Sequence, residues 1–187
     1  MKIISFNINS VRARPHQLEY IRDHIDPDVI GLQETKVHDN EFPVELVNEI
    51  GYHSEFWGQK GHYGVALLSK KKPLEISKGF SKDTAEDQKR FIQGRYKFKN
   101  SDILILNGYF PQGENRNHET KFPKKVKFYK DLRSHIKKLQ KSSQNIIVMG
   151  DFNVAPTEKD IGIGENNAKR WLRDGKCAFL PEEIEMW

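Results

Sequence analysis

Ile146-Ile147-Val148-Met149-Gly150-Asp151-Phe152-Asn153 is the stretch on which the reading of this chain turns. Its first four residues are apolar and three of them are β-branched, which suits a buried strand. Gly150 then removes a side chain, and Asp151 and Asn153 follow at positions i and i+2. In extended backbone those two side chains share a face, so they can enter one cleft while Phe152 anchors the opposite side.

The same arrangement recurs elsewhere. Asn7 and Asn9 follow Ile3-Ile4-Ser5-Phe6, Gln33-Glu34 follows Val29-Ile30-Gly31-Leu32, and Asn107-Gly108-Tyr109 follows Ile103 to Leu106. Taken singly, each is a turn or a helix cap. Four such clusters at like ends of strands instead supply two carboxylates, five amides and a phenol. Carboxylate, amide and water oxygens suit a hard cation such as Mg²⁺. The chemistry suggested is metal-assisted attack of water on a phosphodiester. Gly108 and Gly150 allow close backbone approach near the reacting group.

Around these clusters the spacing predicts strands at 2–8, 28–33, 63–69, 102–109 and 145–149, with weaker ones at 52–57, 73–79 and 91–98. Pro15 opens a helix through His24, with Leu18, Ile21 and Ile25 on one face. A second helix places Phe122, Val126, Tyr129, Leu132, Ile136 and Leu139 on one side, which turns the lysines between them away from the core. Strands from one or two sheets covered by helices make an α/β sandwich. Pro181-Glu182-Glu183 opens a further helix, but the sequence stops at Trp187, which has no evident packing partner. The expectation is a longer domain of which these residues form the N-terminal portion.

The 187 residues argue for one domain. Eleven Phe, six Tyr and three Trp exclude a disordered chain. No apolar stretch exceeds four residues, so none spans a bilayer, and Asn7 and Asn9 interrupt any signal-peptide core. A lone Cys177 excludes a disulfide framework and a Cys-built zinc site, and an inert buried thiol is its expected state. These features suggest a soluble, cytoplasmic protein with no membrane association.

The net charge of +5 is uneven, with −1 in residues 1–93 and +6 in 94–187. Residues 121–141 hold eight Lys and Arg133 against one acid, Asp131. Such a stripe is either a solvated helix face or the footprint of a polyanion partner. Gly162-Ile163-Gly164 lacks the third glycine and the preceding strand of a dinucleotide fingerprint. Lys60, between Gly58 and Gly61, reads as an exposed turn that could hold a phosphate. Trp171 and Leu172 read as core or, with Arg170, as a polyanion contact.

The segments beginning SFNINSVRARP (Ser5), DVIGLQETKVHD (Asp28), GQKGHYGVALL (Gly58), NGYFPQGE (Asn107) and MGDFNVAPTEKDIGIGE (Met149) carry a resemblance. The chain resembles the bacterial exonuclease III family of apurinic/apyrimidinic endonucleases, within the endonuclease/exonuclease/phosphatase superfamily. The resemblance implies a four-layer αββα, DNase I-like sandwich, here incomplete at its C-terminal end. It implies a Mg²⁺-dependent DNA-repair phosphodiesterase, with Mn²⁺ as an alternative metal. This activity would cut duplex DNA at abasic sites and remove nucleotides from 3′ ends, as a monomer.

By position, Glu34 with Asn7 is similar to the family's metal ligands, with Asp151 and Asn153 also in the metal site. Tyr109 resembles the active-site phenol. Asp151 matches the acid that orients water or protonates the leaving oxygen, and Asn153 the amide that stabilises the transition state. Gln112, Lys124 and Lys125 join Arg12, Lys60 and Arg90 as candidate DNA contacts. The family's terminal Ser-Asp-His motif has no counterpart among the seven histidines. This keeps open two alternatives: a catalytically impaired nucleic-acid-binding fragment, and a phosphatase of small or lipid phosphates.

Overall fold

The computed structural model describes residues 1–142 and 145–187. It divides into two compact units, Met1–Tyr109 with Leu139–Asp151, and Phe110–Lys138 with Phe152–Trp187.

The first unit holds β1 (Ile3–Asn7), α1 (Pro15–His24), β2 (Val29–Gln33), α2 (Val44–Glu49), β3 (His53–Trp57) and β4 (Val65–Ser69). It continues with β5 (Glu75–Lys78), β6 (Phe91–Phe98), β7 (Ser101–Tyr109) and β8 (Ile146–Asp151). Every strand lies within two residues of its expected position. They form two mixed four-stranded sheets, ordered β1-β2-β4-β3 and β5-β6-β7-β8. The pairs β1/β2 and β7/β8 are parallel and the others antiparallel.

Period-two alternation decides which side of the first sheet meets what. Ile30, Leu32, Ala66 and Leu68 pack with Leu18 and Ile21 of α1 and with Val47 and Ile50. Val29, Val65 and Leu67 face the other way, onto Ile92, Tyr96, Ile105 and Met149 of the second sheet. Burial on both faces accounts for the continuous apolar runs of β2 and β4. Each such aliphatic side chain contributes about 1.5–3 kcal/mol on leaving water. Ile25 departs from its expected place: α1 ends at His24, so Ile25 falls off the helical face and stays 36% exposed. The six-residue α2 is too short to have shown a period in the sequence.

The second unit contains α3 (Lys121–Leu139) except its last residue, α4 (Glu165–Arg173) and α5 (Pro181–Met186). The buried stripe of α3 is rotated from the expected one. Lys125, Phe128, Tyr129 and Leu132 are buried, whereas Phe122, Val126, Ile136 and Leu139 are only half-buried. α4 has no fully buried residue, and Leu172 is 39% exposed rather than core. The half-buried Trp171 donates its indole N–H to the Cys177 carbonyl at 2.8 Å. Trp187 does have a partner, the Phe152 ring, met edge-on at 4.5 Å. Thirty-four residues of chain lie between the two, which is why the contact was not visible in the sequence. Cys177 is fully buried, and burial first and Glu183 second push its thiol up to about 12.

Candidate active site

Two parallel strand pairs point their C-terminal ends the same way. Asn7 ends β1, Glu34 follows β2, Tyr109 ends β7 and Asp151 ends β8. Tyr109 and Asp151 are register partners. Gly108 and Gly150 are also opposed, and a Cβ on Gly150 (φ +149°) would lie 2.0 Å from the Gly108 carbonyl oxygen. Only glycine permits that approach, which lets β8 end beside β7.

Asn7 Nδ2 donates to Glu34 Oε1 at 3.0 Å and to Asp151 Oδ2 at 2.9 Å. One amide thereby holds two carboxylates from different sheets together. Its own Oδ1 accepts the Asn9 backbone N–H at 3.1 Å. Lys36 Nζ lies 2.8 Å from Glu34 Oε2 and donates to Asn9 Oδ1 at 2.5 Å. Burial raises the Glu34 pKa, but hydrogen bonds from Asn7, Lys36 and Tyr109, with the Lys36 charge, outweigh it and hold the carboxyl below its ordinary value. The Tyr109 phenol is pushed well above its usual 10, by burial first and by Glu34 next. It keeps its proton at neutral pH and serves as a donor.

Glu34 (φ +54°) and Lys36 (φ +57°) occupy left-handed backbone, as do Asn9 and Ser10. Such conformations cost about 1–3 kcal/mol each and persist where surrounding structure over-determines them. Here the Thr35 and Lys36 amides donate to the Gly64 and Tyr63 carbonyls, and Glu34 and Thr35 carbonyls accept from Ser10 and Val11.

The donor set fits a hard divalent cation. Mg²⁺ is bound through one or two carboxylates, with water and substrate phosphate completing its shell. Glu34 and Asp151 are two such carboxylates. Among the described residues no cluster of three or more His, Cys, Asp or Glu side chains offers an all-protein cage.

Asn153 belongs to the second unit. Its Nδ2 donates to the Phe110 carbonyl at 2.9 Å, and its backbone is left-handed at φ +52°.

The candidate DNA contacts have different surroundings. Lys60, Gln112 and Lys124 are exposed, and the Gln112 Oε1 accepts the Glu114 N–H at 2.6 Å. Arg12 is exposed and sits 3.5 Å from Glu41. Arg90 is half-buried, with its guanidinium 4.5 Å and 4.6 Å from the Tyr63 and Tyr109 ring centroids. It donates to the Tyr109 carbonyl at 3.0 Å and to Gln88 Oε1 at 2.6 Å. Lys125 must be corrected: it is fully buried and paired with Glu183 at 2.5 Å, so it cannot meet DNA. Its position on the rotated stripe of α3 is the cause.

Sequence reasoning missed Lys36, although it stands two residues beyond Glu34. It also placed Gln33 and Asn107 in strand-end clusters, whereas both are fully buried.

Comparison with known proteins is consistent across sequence and structure. A sequence profile described as the Endonuclease/Exonuclease/phosphatase family matches residues 4–183. Exodeoxyribonuclease III of Haemophilus influenzae is 56% identical over 183 residues, covering 98% of this chain and 68% of that protein. DNA repair nuclease APEX1 of Danio rerio is 28% identical, over 99% of this chain and 57% of its own length. A 3′ phosphatase from Neisseria, solved bound to product DNA hairpin, matches with a TM-score of 0.88 at 25% identity. An AP endonuclease from Archaeoglobus fulgidus matches with a TM-score of 0.83 at 32% identity. Each structural match covers all of this chain and 68% of the other.

Proposed function

The chain belongs to the Endonuclease/Exonuclease/phosphatase family, and from that premise we propose that it is a Mg²⁺-dependent DNA-repair nuclease. Its substrates are phosphodiesters of duplex DNA, at abasic positions and at 3′ ends. The observation that carries this reading is the Asn7 amide bridging Glu34 and Asp151 at 3.0 and 2.9 Å.

When bound, the metal supplies Lewis-acid polarisation of a phosphate oxygen. The chain's own residues do the rest. The Glu34 carboxylate, bonded by Asn7, Lys36 and Tyr109, would hold the cation and offset its charge. The Asp151 carboxylate accepts a hydrogen bond from the attacking water and aims it at phosphorus. A new P–O bond forms as the attacking water gives up a proton to solvent, and the bond from phosphorus to the 3′ oxygen breaks as that oxygen takes up a proton from solvent. The neutral Tyr109 phenol donates a hydrogen bond that fixes the acidic cluster. The resemblance assigns the Asn153 amide to the transition-state charge.

A labelled duplex with one abasic site tests the proposal. EDTA-sensitive incision beside that site is expected. Salt-sensitive binding without incision would instead indicate a binding fragment, and turnover of small phosphoesters alone a phosphatase.

A further inference from the structure

Lys125 and Glu183 are both completely buried, and nothing in the proposed chemistry uses them. Burying a charged pair is costly, and well-packed apolar residues often serve stability equally well. What the pair touches is therefore informative. Lys125 Nζ donates to Glu183 Oε1 at 2.5 Å, to the Asn153 carbonyl at 2.8 Å and, at longer range, to the Gln112 carbonyl at 3.3 Å. All three ammonium hydrogens are aimed. Glu183 Oε2 accepts the backbone N–H groups of Ala178 and Leu180 at 2.8 and 2.9 Å. Gly113 makes room, since a Cβ there would lie 2.8 Å from Cys177 Sγ and 3.0 Å from Lys125 Cδ.

We propose that Lys125, neutralised by Glu183, is a positioning residue for Asn153. The inference rests on the reading of Asn153 as the transition-state amide. Asn153 has two soft degrees of freedom that matter, its left-handed backbone and its side-chain rotation. The Phe110 carbonyl holds the side chain from one end. The ammonium holds the carbonyl of the same residue from the other. An apolar residue at 125 could fill the space but could not bond that carbonyl. The ion pair thus ties the placement of one amide to helix α5, through Glu183.

The test pairs two double variants of the full chain. Lys125→Met with Glu183→Leu removes both charges together, so no lone buried charge is left to unfold the protein. Lys125→Gln with Glu183→Gln retains a donor toward the Asn153 carbonyl. Amide NMR is expected to show the Asn153 side-chain NH₂ shifted and losing exchange protection in the first pair, with β-sheet signals unchanged. The Gln pair should restore part of that protection. Single-turnover cleavage of the abasic duplex, with protein in excess, should lose about 10- to 100-fold in maximal rate at unchanged half-saturation, the scale of a 1 Å misplacement. An Asn153 side chain unmoved in both pairs would overturn the proposal. Full activity of Asn153→Ala would remove the amide's catalytic role instead, a different result read on a different variant.

Discussion

The side-chain amide of Gln33 donates to Asn107 Oδ1 at 2.6 Å, with both residues fully buried. Asn107 in turn donates to the Leu32 and Ala66 carbonyls at 3.0 and 2.9 Å. A residue of the second sheet thereby bonds two neighbouring strands of the first. Hydrogen bonds of this kind are directional where apolar contact is not, so they register one sheet against the other.

Asn107→Leu keeps the volume but removes all three bonds. It should lower stability by about 1–3 kcal/mol, because Gln33 and two carbonyls lose partners. Urea denaturation should show a lower midpoint at the same slope. An unchanged midpoint would show that the amide network contributes nothing.

Metal binding can be followed on the chain itself, by Mg²⁺ titration of backbone amide shifts. Glu34→Gln should weaken apparent affinity by about tenfold or more, and leave the fold intact. Lys36→Met should act in the opposite direction, since it removes an ammonium 2.8 Å from the same carboxylate. Equal titrations for all three proteins would exclude Glu34 as a ligand.

Duplex binding should depend on the exposed lysines of α3 and not on Lys125. Reversing charge at Lys124 and Lys138 should weaken affinity at low salt. It should also make the log–log salt dependence shallower by about 1.8 if each lysine neutralises one phosphate. A salt slope that does not move would leave the stripe as a solvated face.

Cys177 predicts an alkaline loss of stability. Its thiol titrates near 9.0 when unfolded and is pushed up to about 12 when folded. Between those values the folded state binds more protons, so its contribution is complete below about pH 9 and falls as pH rises toward 12. Tyr52 and Tyr96 are pushed to about 12 as well, and burden both proteins alike. Cys177→Ala should therefore lose less stability than the parent between pH 8 and pH 10, read by urea midpoint. Parallel losses would place the thiol in a solvated setting.

The relative from Haemophilus influenzae extends beyond the region this chain matches, since the chain covers 68% of it. Joining this chain to the remaining third of that protein should raise EDTA-sensitive incision of an abasic duplex by at least about 100-fold, the scale on which one acid–base group acts. Equal rates with and without the added segment would show that residues 1–187 carry the chemistry alone.

Much of the architecture was determined by the sequence itself. Buried strands need runs such as Val29–Gln33 and Val65–Ser69, and those runs are local. The polar residues that end them, Asn7, Glu34, Tyr109 and Asp151, were legible for the same reason, because strand ends are fixed by their neighbours in sequence. Only the tertiary structure decided what depended on distant partners. Lys125 looked like one of eight surface lysines until Glu183, 58 residues away, made its burial tolerable. Gln33 and Asn107 looked like cleft residues until the facing sheet supplied acceptors for their amides. Periodicity reports which residues are apolar, whereas a buried polar group is settled by whether a partner folds against it, and that partner can lie anywhere in the chain.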